Sequence, residues 1–96
     1  MNVKEIEGTV TTPLDFFASG IETGVKEEGK DMALVYSIVE SEAAAVFTEN
    51  QAQAAPVRIS RNHLEDNQAQ AILVNSGNAN ACTGERGDVD AAKMIE

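Results

Sequence analysis

Ten consecutive residues, Asp31-Met32-Ala33-Leu34-Val35-Tyr36-Ser37-Ile38-Val39-Glu40, limit the fold more than anything else in the chain. With a period of two, Met32, Leu34, Tyr36 and Ile38 share one face, while Ala33, Val35, Ser37 and Val39 share the other. One face is large and apolar and the other smaller but still apolar, which predicts a central strand covered on both sides. A central strand needs partners. Ala69-Gln70-Ala71-Ile72-Leu73-Val74 is short, apolar and bounded by turn residues, as expected of a second buried strand. Gly20 to Val25 reads as a third, with glycines near both ends.

Weaker strand readings fall elsewhere. Val3 to Ile6 reads as a short extended segment. The β-branched run Thr9-Val10-Thr11-Thr12 is extended until Pro13 removes a backbone donor. Ala43 to Thr48 is ambiguous, since three alanines favour helix and Val46-Phe47-Thr48 favours strand; it is read as a strand. Lys26 to Asp31 is a charged turn, read as a solvated hairpin tip. Pro56 suits the first turn of a helix carrying Val57, Arg61 and Leu64 on one stripe and ending at Asp66-Asn67. A last helix is predicted from an Asp88 N-cap to Glu96, with Val89, Ala92 and Ile95 on one face and no stop signal. The fold class is therefore α+β, with a mixed or antiparallel sheet packed against helices. No linker or repeat divides the 96 residues, which are read as a single unit. The unfinished apolar stripe suggests the front of a longer chain.

Charge and composition exclude several functions. Sixteen acids against seven bases leave a net charge of −9, which repels phosphate backbones and anionic membrane surfaces. Neither nucleic acid nor membrane is an expected partner. No apolar run approaches the roughly 18 residues of a membrane span, and the acidic start does not suit a signal peptide. A lone cysteine cannot form an internal disulfide, so a cytoplasmic setting is expected.

Chemistry concentrates in Val74-Asn75-Ser76-Gly77-Asn78-Ala79-Asn80-Ala81-Cys82-Thr83-Gly84, an amide-rich run between a buried strand and a helix. Carboxamides donate and accept without charge, and Asn tolerates left-handed backbone. The run is either a loop whose amides satisfy its own backbone or one that lines a substrate site, with Asn78 and Asn80 the candidate contacts. Gly77 and Gly84 are too far apart for a P-loop, and Gly84-Glu85-Arg86-Gly87 is a bare GxxG in acidic surroundings. Cys82 and His63 are the only thiol and imidazole, too few for structural zinc and without sign of a nucleophile pair. Asp88 and Asp90 lack the rest of a calcium loop. Neither a catalytic residue, a metal nor a cofactor is expected. By local rules alone, an acidic, non-catalytic ligand- or protein-binding module remains the alternative to an enzyme.

The run Asn75-Ser76-Gly77-Asn78-Ala79-Asn80-Ala81-Cys82-Thr83-Gly84 resembles the signature loop of the ornithine acetyltransferases, the bifunctional ArgJ family of arginine biosynthesis. Supporting blocks follow the family's order: Gly20-Ile21 with Gly24-Val25-Lys26, Ala33-Leu34-Val35, Ala45 to Asn50, and Ala54-Ala55-Pro56-Val57. Thr12-Pro13, where the family commonly has Ala before the proline, and the acidic stretch from Glu22 to Asp31 depart from it, both away from the signature loop. The resemblance implies the N-terminal part of the α chain of a self-cleaving precursor. Such an enzyme moves acetyl from N-acetylornithine to glutamate, and some members also use acetyl-CoA. The partners implied are the rest of the α chain and a β chain beginning with the nucleophilic threonine, assembled as an α2β2 heterotetramer. The family's nucleophile, oxyanion-hole Thr-Gly pair and glutamate-binding residues lie beyond Glu96, so none is carried onto this sequence.

Overall fold

The computed structural model describes residues 2–77 and 79–96. Three strands, β1 (Phe16–Ile21), β2 (Met32–Glu42) and β3 (Gln68–Asn75), form an antiparallel sheet in the order β1-β2-β3. Two helices, α1 (Ala55–His63) and α2 (Gly84–Met94), complete the α+β unit.

The central position of β2 is as its alternation predicts. Its neighbours hold it by register: Phe17 faces Tyr36 across β1, with ring centroids 5.6 Å apart, and Leu73 faces Leu34 across β3. Between Tyr36 and Ser41 the β2–β3 register shifts. Ser37, 1% exposed, serves that irregularity: its Oγ accepts from the Val39 N–H and the Ser41 hydroxyl, and its carbonyl accepts from Gln70 Nε2. Bulges of this kind leave backbone groups unpaired, and a small hydroxyl fits among them. The expectation that β2 is covered on both sides fails within this chain. Leu34, Tyr36 and Ile38 are 37–52% exposed, and Ile72 and Val74 on β3 more than half exposed.

Several boundaries differ from the sequence reading, each for a local reason. The first strand starts at Phe16 and ends at Ile21, because residues 23–26 turn inward instead of pairing. Residues 9–12 form a turn, with the Thr12 N–H on the Thr9 carbonyl and the Thr9 N–H on Thr12 Oγ1. Threonine hydroxyls competing for backbone groups favour such turns over an unpaired strand. Val3 to Ile6 has no regular structure. Ala43 to Thr48 is not a strand either. It is irregular and clasped by α1: Arg61 donates to the Thr48 carbonyl and lies over the Phe47 ring at 5.2 Å, while Arg58 donates to the Gln53 carbonyl.

α1 begins at Ala55, with Pro56 in its first turn as expected, and Asn67 adopts a left-handed φ of 57° before β3. α2 begins at Gly84, four residues ahead of the predicted Asp88 cap, and terminates at Met94. Asp88 sits inside the helix and pairs with Arg58 of α1. Nor is the packed face the predicted stripe. Val89 and Ile95 are about half exposed, whereas Gly87 and Ala91 are buried on α2 and Ala55 on α1. Gly87 is covered by Asn80 and Thr83, and Ala55 and Ala91 are the buried alanines of the two helices, so small residues take the inner positions and the larger side chains face outward.

Candidate functional site

The amide-rich loop leaves β3 at Asn75 and enters α2 at Gly84, and it is tied down at both ends. At the first end, the Ser76 N–H donates to the Asp31 carbonyl at 2.8 Å. Gly77 follows with φ of 90°, a conformation that favours glycine. A Cβ there would stand 2.6 Å from Lys26 Cγ and 3.6 Å from Val25 Cγ1, so the loop rests directly on residues 25 and 26. The loop then folds on itself, the Ala81 N–H reaching the Ala79 carbonyl at 2.9 Å, and Cys82 takes a left-handed φ of 55°.

At the second end, Asn80 joins the two helices. Its Nδ2 donates to the Gly87 carbonyl at 2.7 Å, its Oδ1 accepts from the Thr83 hydroxyl, and its own carbonyl accepts from the Ala55 N–H at 3.3 Å. Thr83 stands at the N-cap of α2, yet its hydroxyl is spent on Asn80 and caps no helix N–H. Thus Asn80, one of the two candidate contacts, directs its side chain at the protein. Asn78, the other, lies outside the described residues.

Sequence reasoning missed Asp31. It read a solvated turn tip; the structure buries the carboxyl, leaving it 2% exposed. Oδ1 accepts from the Thr23 hydroxyl at 2.6 Å and the Thr23 N–H at 2.7 Å, and Oδ2 from the N–H groups of Val25 at 2.8 Å and Lys26 at 3.2 Å. The Thr23 hydroxyl, aided by these backbone donors, holds the carboxyl far below its ordinary range despite the opposing pull of burial. The signal was available in part, since an acid closing a turn that carries Thr and Gly can bond backward to its backbone.

The sign of the pH effect follows. A depressed folded-state pKa means that the unfolded chain binds the extra proton, so the contribution is complete above the ordinary pKa of 3.8. It is lost as pH falls below that value toward the lower folded-state one. Amide exchange in residues 23–30 of the intact protein, after correction for intrinsic rates, is expected to accelerate as pH drops through this window. Unchanged protection down to the acid limit would contradict it.

Cys82 is exposed and free, and His63 is exposed in the last turn of α1. Among the described residues, no group of three or more His, Cys, Asp or Glu is placed to hold a metal ion, and no helix is long and apolar enough to cross a membrane. A shallow open depression at the opposite end of the β2–β3 pair, lined by Glu42, Asp66 and Asn67, lies away from the loop.

An antiparallel α+β unit whose last strand feeds a twice-anchored amide loop defines a narrow structural class, and comparison with known proteins identifies it. The ArgJ family profile matches residues 17–96, and the chain belongs to that family. It is 47% identical over 91 residues to the arginine biosynthesis bifunctional protein ArgJ of Caldanaerobacter subterraneus subsp. tengcongensis, covering 95% of this chain and 23% of that protein. Identity to the protein of the same name from Listeria monocytogenes is 47% over 90 residues, or 93% of this chain and 23% of that one. The crystal structure of ArgJ from Bacillus halodurans superposes with a TM-score of 0.86 at 45% identity, over 91% of this chain and 46% of that one. An ornithine acetyltransferase from Mycobacterium tuberculosis, solved with ornithine, superposes with a TM-score of 0.84 at 42% identity and the same coverage. The chain spans 23% of the length of these curated relatives.

Proposed function

We propose that these residues are the N-terminal part of the α chain of an ornithine acetyltransferase, which moves acetyl from N-acetylornithine to glutamate. The observation that carries this reading is the 42% identity, at a TM-score of 0.84, to an ornithine acetyltransferase solved with ornithine. The full protein is a cytoplasmic precursor that cleaves itself ahead of a threonine, and the two resulting chains assemble as α2β2. The new N-terminal threonine attacks the acetyl carbonyl with its own amine as base, and ornithine leaves. The glutamate amine then takes the acetyl group from the acyl-enzyme. Acetyl-CoA serves as a second donor in the bifunctional case.

In this scheme residues 1–96 supply neither nucleophile nor oxyanion donor. They build the sheet and present the amide-rich loop as part of the wall of the substrate site, its shape set by Asn80 and its anchors. The test is the longer protein containing these residues with the sequence that follows them in its gene. Glutamate-dependent release of ornithine from N-acetylornithine, together with a second chain whose N-terminal residue is Thr, is expected. A single uncleaved chain without glutamate-dependent release would overturn the proposal.

A further inference from the structure

We propose that Asp31 is a positioning residue, whose carboxylate sets the 23–30 loop as the platform on which the start of the amide-rich loop rests. The two carboxylate oxygens divide the task. Oδ1 holds Thr23 through its N–H and hydroxyl, whereas Oδ2 holds the N–H groups of Val25 and Lys26. Those last two residues are the ones whose side chains meet Gly77. The same Asp31 accepts the Ser76 N–H through its carbonyl, so one residue touches both sides of the contact.

Closing a ten-residue connection between β1 and β2 does not require a buried charge. A carboxylate taken out of water is costly unless its oxygens are fully bonded, and here four donors converge on it without a cation among them. Such a cluster makes a stiff loop, and Lys26 and Val25 are the part of it turned toward the amide-rich run. The consequence for substrate rests on the reading that this run walls the site, and the experiment separates the two ideas.

The substitution Asp31→Asn preserves size but replaces one acceptor oxygen with an NH2 group facing donors. In the full-length enzyme it is expected to raise amide exchange about tenfold both in residues 23–30 and in residues 76–83, with β2 and β3 unchanged. It should also lower kcat/KM about tenfold, chiefly through KM, as a misplaced wall would. Thr23→Val removes only the hydroxyl at Oδ1, and should loosen residues 23 and 24 while residues 25 and 26, still held by Oδ2, residues 76–83 and kcat/KM stay at wild-type values. Should Asp31→Asn fail to fold, Lys26→Ala tests the same contact. It keeps the backbone bond to Asp31 but removes the stem under Gly77, so faster exchange in residues 76–83 is expected with 23–30 still protected. Wild-type exchange in residues 76–83 in either folded variant overturns the proposal. Faster exchange there with unchanged kcat/KM upholds the positioning role and overturns the placement of the loop at the substrate site.

Discussion

Purified on its own, the 96-residue chain is expected to melt without a sharp transition, to bind the dye ANS strongly and to self-associate as concentration rises. The reason is how little it buries. Among the described residues, Ala55 and Ala91 are the only buried apolar side chains. Among the same residues, seventeen large apolar side chains are substantially exposed, with Leu14 and Val46 87% and 99% exposed. Burying a side chain of leucine size contributes about 1.5–3 kcal/mol, while ordering each residue's backbone costs about 1–2 kcal/mol. Two buried alanines cannot offset that entropy across a domain. Both faces of β2 present apolar side chains to water, an area of the kind that associates with other apolar surfaces. Far-ultraviolet circular dichroism should still show helix and strand, because backbone hydrogen bonding survives in compact states that lack tight side-chain packing. A monomer that melts sharply and leaves the dye dark would show that the sheet is sufficient by itself.

The elements that were legible in the sequence are those marked by large apolar side chains at a regular spacing or by a proline at a helix start. β2 and β3 were readable as strands because alternation and an apolar run report paired extended chain, and each finds the other across the register Leu34 to Leu73, although the expected cover on both sides is missing. α1 was readable from Pro56 and its stripe. Ala43 to Thr48 misled because its β-branched and aromatic residues serve a different purpose, with Phe47 lying under Arg61 rather than in a ladder. α2 misled twice. Asp88 looks like a cap but faces Arg58 across the helix pair, and the stripe of Val89, Ala92 and Ile95 suggested the inner face when Gly87 and Ala91 occupy it. Periodicity detects large apolar residues, so a contact made through the absence of side chains escapes it.

The candidate site shows the same division. The amide-rich run stood out by composition, and its position between β3 and α2 was correct. Its anchors did not stand out. Asp31 is 45 residues before Ser76 in sequence, and only the antiparallel pairing of Met32 with Asn75 brings the two together. Family resemblance reached further than local rules, because the order of Asn, Gly and Thr in the loop carries a constraint that no single-residue propensity expresses.

The knot at the other end of the loop carries the second large expected effect. In the full-length protein, Gly87→Ala places a Cβ 2.6 Å from Asn80 Oδ1 and 2.8 Å from Thr83 Cβ, besides overlapping the Thr83 hydroxyl. Alanine in a helix gains about 1 kcal/mol over glycine, but overpacking costs about 1–3 kcal/mol. Displacing Asn80 also breaks its bond to the Gly87 carbonyl, which keeps its partner within the helix, so this loss costs only about 0.5–1.5 kcal/mol. The clash and the lost bond outweigh the propensity, so net destabilisation of about 2 kcal/mol is expected. Asn80→Ala alone should cost about 1–3 kcal/mol by removing both side-chain bonds. The double variant separates packing from bonding. With Asn80 truncated, the new Cβ no longer meets its Oδ1, and the bond that Gly87→Ala would break is already gone. The two costs should therefore fall short of additive by about 1 kcal/mol or more in denaturant unfolding. Fully additive costs would mean that Asn80 and Gly87 are not joined in one knot. Measured beside stability, kcat per folded molecule distinguishes the roles of the loop: a large loss of kcat in Asn80→Ala at wild-type melting temperature would make the side chain a substrate contact rather than a tie between helices.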